Sequence, residues 1–166
     1  MAYRNKTYIV FDGDEDMNYY RLMTAWNAHD GFSLNFANAH DLNTARDSSQ
    51  EESIKSQLRE RFANSKLLIV LIGEKTRLLT KFVKWELEVA LKLELPILGV
   101  NLNKSKKIDA NCPPTIKDEL VVYVPFAHDI IEYAMENWPT QLKNLKANKA
   151  IGAHYYTDEI YEKLGK

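Results

Sequence analysis

The sequence predicts an α/β protein, layered on a parallel sheet, and two observations carry that prediction. Apolar runs of strand length alternate with longer stretches of helical period, the layout of parallel strands joined by crossover helices. Two of the runs, LLIVLIG and PILGVNL, are almost unbroken in apolar residues, as expected of strands covered by helices on both faces. Strands are placed at 7–12, 32–35, 67–73, 97–102 and 120–125, with the two unbroken runs at the centre. Helices between them make this a flavodoxin-like three-layer sandwich with a five-stranded parallel sheet in the order 2-1-3-4-5.

The helices are expected at 16–29, 49–64 and 80–93. In the second, Ile54, Leu58 and Phe62 recur at i, i+4 and i+8. Its start carries two capping-box pairs, Ser48 with Glu51 and Ser49 with Glu52. A further helix at 129–138 is expected to end at Pro139, which lacks the N–H a helix interior needs. The tail AIGAHYYTDEIYEKLGK suggests one more, with Tyr156, Ile160 and Leu164 on one side. No repeat, low-complexity tract or linker divides the chain, so 1–166 reads as a single domain, with a core of about 5–138 and a helical extension of about 139–166.

A chain of 166 residues, 45% hydrophobic and 27% charged, is long enough to bury roughly 70% of its unfolded surface without a disulfide or metal staple. Its 22 basic and 23 acidic residues leave a net charge of −1, so neither nucleic acid nor an anionic membrane is indicated as a partner. Cys112 is the single cysteine, with no Cys or His at ligand spacing, and reads as an inert thiol. There is no signal-peptide layout, nor an apolar run near the roughly 18 residues of a membrane span. A cytoplasmic protein is expected.

The stretch TYIVFDGDED empties a strand into four acids, Asp12, Asp14, Glu15 and Asp16. A calcium loop opening at Asp12 would need Gly at its sixth position and Glu at its twelfth, where Met17 and Met23 stand. A response-regulator receiver would need an acceptor Asp where the third strand instead ends in Gly73-Glu74. Phosphate-cradling glycine loops of the known kinds are absent. A magnesium-dependent phosphatase of the haloacid dehalogenase type also begins with a strand and D-x-D. It would want Thr or Val at Asp16 and a later acidic pair on a strand end, neither of which is found. Asp14, Glu15 and Asp16 read as a solvated loop complementing a helix dipole, and Asp12 stays a site candidate.

The more informative carboxylate is Glu86. Advancing about 100° per residue, Leu79, Phe82, Val83, Ala90 and Leu93 all fall on its side of the 80–93 helix, while Lys81, Lys84, Glu88 and Lys92 collect opposite. An unpaired charge on an inward face costs several kcal/mol or forces protonation. Two readings stay open: a buried Glu satisfied by an arginine or by backbone donors, or a carboxylate opening into a ligand cleft.

The run KFVKWELEVAL, preceded by a strand and the loop IGEKTRLL, resembles the third-helix region of Toll/interleukin-1 receptor (TIR) domains. There, an aromatic residue, three further residues and then Glu mark the NAD-consuming members. The run FANAHDLNTARDSSQEESIKSQLRERFANSKLLIVLIGEKT is similar to the TIR-like proteins of bacterial Thoeris anti-phage systems, and the resemblance covers roughly 5–138. It implies that Glu86 is the catalytic glutamate and that Phe11 and Asp12 line the nicotinamide-ribose pocket. Asn38, His40, Asp41 and Arg46 fall in the loop that covers ligand or reaches a neighbouring subunit. Phe82 stands where many members carry Trp, and Trp85 is the ring beside Glu86. His40 reads equally as an exposed loop histidine, and Arg46 as a local turn partner. The resemblance further implies cleavage of NAD as substrate without a cofactor, self-association, and a nucleotide messenger that switches on a separate effector. A non-catalytic TIR interaction module is the alternative from another class.

Overall fold

The computed structural model describes residues 6–12, 15–29, 35–37, 56, 59–60, 65–78 and 83–165. Its elements run β1 (Lys6–Val10), α1 (Met17–His29), β2 (Asn35–Ala37), β3 (Leu67–Ile72), a 3-10 turn (Thr76–Leu78), α2 (Val83–Lys92), β4 (Ile97–Asn101), α3 (Pro114–Lys117), β5 (Val122–Pro125), α4 (His128–Ala147), β6 (His154–Tyr155) and α5 (Asp158–Lys163). Of the predicted 49–64 helix, Ser56, Arg59 and Glu60 are described, and all three are helical.

The sheet is parallel throughout, in the order β2-β1-β3-β4-β5-β6. The first five strands follow the predicted order, and a sixth is added outside β5. Period-2 geometry divides the strand residues between two cores. Ile9, Phe11, Leu67, Ile69, Leu71, Leu98 and Val100 face α1 and α4, whereas Tyr8, Val10, Leu68, Val70 and Ile72 face α2 and α3. Both sets are buried, which is why β3 and β4 show no polar alternation in the sequence.

Three expectations are corrected. The second strand lies at Asn35–Ala37, paired as Thr7↔Phe36, later than the expected 32–35; residues 32–34 lie outside those described. Pro139 does not end its helix, which continues to Ala147. Met135, Trp138 and Leu142 keep one buried stripe across it, and that burial outweighs the roughly 3 kcal/mol a mid-helix proline costs. The tail is not helical from its start, because His154 and Tyr155 pair with Val122 and Tyr123 as β6 before α5 begins. The segment after 139 thus brings Leu142, Tyr156 and Tyr161 into the same core as Ile9 and Met23.

The end of α2 corrects a fourth. Leu93, expected on the inward stripe, is exposed, because the helix closes before it. Leu95 N–H donates to Ala90 C=O at 3.0 Å and Glu94 N–H to Leu91 C=O at 3.1 Å, with Glu94 in the left-handed region at φ 56°. These are the bonds of a Schellman cap. The chain turns, and Leu95 rather than Leu93 packs against the α2 core.

Candidate functional site

The carboxyl ends of β1 and β3, beside the reversal of strand order, are where ligands bind in open parallel sheets. Gly73 follows β3, and its N–H donates to Thr76 Oγ1 at 2.9 Å while that hydroxyl donates to Leu71 C=O at 3.3 Å. Thr76 is buried and pins the turn that leads toward α2. Val83, Glu86, Leu87 and Ala90 form the buried face of α2, so the carboxylate expected on the inward stripe is there, 1% exposed. Tyr8, fully buried on β1, donates its phenolic hydrogen to Glu86 Oε2.

Tyr8 is the residue the sequence reading missed. It sits within a mostly apolar strand, yet a buried phenol needs a hydrogen-bond partner, and an inward carboxylate needs a donor. Those two complementary needs were the available signal.

Three other expected site residues, Asp12, Trp85 and Phe11, are described. Asp12, just past β1, is buried and accepts a 3.3 Å bond from Glu15 N–H, while its C=O accepts from Asp16 N–H at 2.8 Å. Trp85 is half-buried, with the Arg59 guanidinium 5.4 Å over its ring. Phe11 points to the opposite core and stacks on Tyr20, centroids 4.7 Å apart. The structure therefore brings Tyr8 together with Glu86 and sets Phe11 on the other face. Asn38, His40, Asp41, Arg46 and Phe82 lie outside the described residues.

The acidic loop is not uniformly solvated, as the sequence had suggested. Glu15 is exposed and pairs with Lys75 at 3.2 Å, whereas Asp16 is buried. Burial first, then the charges of Asp12, Glu15 and Glu74, pushes the Asp16 carboxyl up to about 6. Its Oδ2 lies so near Gly73 that a Cβ there would sit 2.3 Å away. Glu15, Asp16, Gly73, Glu74, Asn103 and Asn111 border a cleft of about 290 Å³. Cys112 is buried 3.3 Å from the Tyr123 hydroxyl, and burial pushes its thiol up, away from the reactive thiolate.

A family model for the Thoeris protein ThsB, TIR-like domain, matches residues 8–107. That span is more than half of the chain and contains both Tyr8 and Glu86. The chain belongs to the Thoeris ThsB TIR-like family. It is thereby a TIR protein of anti-phage defence, and the phosphatase alternative gives way to that assignment. Among the described residues, no helix of this ThsB-type domain is long and apolar enough to cross a membrane.

Proposed function

We propose that this TIR domain cleaves NAD, releasing nicotinamide and forming an ADP-ribose-derived nucleotide, cyclic or conjugated, that activates a separate effector in the cytoplasm. The observation that carries the reading is Glu86, a carboxylate inside an apolar helix face that is met by a neutral phenol. Nicotinamide carries its positive charge on the ring nitrogen, so it leaves as a neutral base and needs no general acid, unlike most glycoside leaving groups. What remains is to stabilise the oxocarbenium-like ribose. A carboxylate about 4 Å away at an effective dielectric of about 20 contributes roughly 4 kcal/mol, on the order of a thousandfold in rate. Water as the second nucleophile gives hydrolysis; an adenine nitrogen or another acceptor gives the signal. Asp12 and Trp85, with Phe11, Asn38, His40, Asp41, Arg46 and Phe82, are proposed to border the substrate.

The competing reading, a non-catalytic self-association module, draws on the same residue: a carboxylate this closed touches no substrate. The catalytic reading therefore requires the site to open on substrate binding or on assembly, as gated active sites do. Purified protein incubated with NAD, alone and concentrated to drive self-association, separates the two. Glu86→Gln is expected to lower nicotinamide release by on the order of a thousandfold; equal release from parent and variant would leave the interaction module standing.

A further inference from the structure

We infer that Tyr8 is a positioning residue for the proposed reaction, holding the Glu86 carboxylate in its charged form and fixed orientation; this rests on the catalytic reading of Glu86. Tyr8 sits mid-strand on β1, in register with Ala37 of β2 and Leu68 of β3. Paired on both sides, its backbone has little freedom. Its ring shares a packed core with Val10, Leu68, Val70 and Leu87, so the hydroxyl is delivered to one place. Glu86 is held from the other side by α2, whose Val83, Leu87 and Ala90 anchor it to the sheet. The donor thus reaches Oε2 from the floor of the domain.

The chemical identity of the donor matters. An arginine in this position would satisfy the carboxylate but would also place a positive charge beside it, cancelling much of the field that a developing ribose cation has to feel. A phenol donates a charge-assisted hydrogen bond, stronger than a neutral one, and brings no countercharge. Hydrogen bonding to the charged form favours ionisation in a setting where desolvation opposes it. A buried tyrosine on the strand therefore does for Glu86 what water would do at the surface, without the reorganisation that water requires.

The test is Tyr8→Phe, which deletes one oxygen and keeps the ring. With NAD as substrate and nicotinamide as the measured product, kcat is expected to fall about tenfold with KM within about twofold. The acid limb of the pH–rate profile is expected to move to higher pH, because Glu86 has lost the donor that favoured its charge. Thermal unfolding of the same variant reads any loss of packing separately. A variant with altered Tm but the parent's kcat and pH profile would overturn the inference, since Tyr8 would then be structural only. The Glu86→Gln variant runs alongside. If it is inactive while Tyr8→Phe matches the parent, the positioning role alone fails; if it matches the parent, the catalytic reading fails and takes this inference with it.

Discussion

Glu86 and Asp16 are carboxylates nearly closed to water, one inside α2 and the other at the head of α1, and they meet opposite fates. Glu86 receives a hydrogen from Tyr8. Asp16 has an Oδ2 without a hydrogen-bond partner among the described residues, and burial first, then three other acids, raise its affinity for a proton. The first carboxylate meets a hydrogen-bond donor, and the second is pushed toward its protonated form by burial and by neighbouring charge. Burial raises the proton affinity of a carboxylate, and its neighbours then add to that effect or oppose it.

The largest expected effect would break this contrast if it came out reversed. Glu86→Gln is expected to cost on the order of a thousandfold in nicotinamide release, and Asp16→Asn to leave it within about threefold, both measured at pH 7 with NAD. Loss of turnover in Asp16→Asn alone would move the chemistry to the cleft that Asp16 borders.

Next in size is the pH dependence of stability. The Asp16 carboxyl is pushed from 3.8 to about 6 in the folded protein, so between those values the native state binds more protons than the unfolded one. Stability from this group is then fullest below about pH 4 and declines as pH rises to about 6, after which the loss is constant. Asp16→Asn removes that dependence and is expected to stabilise the protein at pH 7 by on the order of 2 kcal/mol. Denaturant midpoints of parent and variant should coincide most nearly near pH 4 and diverge up to about pH 6. A gap that does not change with pH would refute the assignment.

The contact behind that burial gives a smaller effect. Gly73→Ala would place a Cβ 2.3 Å from Asp16 Oδ2, an overlap expected to cost about 1–2 kcal/mol. Combining it with Asp16→Ser, which keeps a side chain suited to the helix start, should recover most of the loss. Additive losses in the double variant would mean that Gly73 is constrained by something other than Asp16.

These cases also show what was legible in the sequence. β3 and β4 could be read directly, because strands covered on both faces need apolar residues at every position. Glu86 was legible because a helix keeps its period, and one charge in an apolar stripe stands out. Tyr8 was hidden by the reason that made its strand visible: where every position is buried, only the phenol's need for a partner, matched to the carboxylate's need for a donor, marks the residue that donates a hydrogen bond. Asp16 was misread because its sequence neighbours are acidic and solvated, whereas its burial depends on Gly73, distant in the chain. Pro139 was read by its local rule, and the stripe of Met135, Trp138 and Leu142 overrode it. β6 is two residues long, too short to carry any period.

The smallest effect concerns how the helix bearing Glu86 ends. Glu94 at φ 56° closes α2, and Lys149 at φ 60° closes α4 with the same pair of bonds, Ala150 N–H to Leu145 C=O at 2.9 Å and Lys149 N–H to Lys146 C=O at 3.0 Å. A left-handed non-glycine residue costs about 1–2 kcal/mol, and glycine relieves it while adding unfolded-state entropy worth about 0.5–1 kcal/mol. The two sites differ in charge at a helix C-terminus, where the dipole disfavours Glu94 and favours Lys149. Glu94→Gly is therefore expected to stabilise by about 1 kcal/mol, and Lys149→Gly by less than about 0.5 kcal/mol, read as denaturant midpoints at low salt and converging as salt screens the dipole. If the strain at Glu94 instead served to aim α2, Glu94→Gly would lower nicotinamide release where Lys149→Gly would not. Equal release from both is expected, because Val83, Leu87 and Ala90 already fix the buried face of α2 on the sheet.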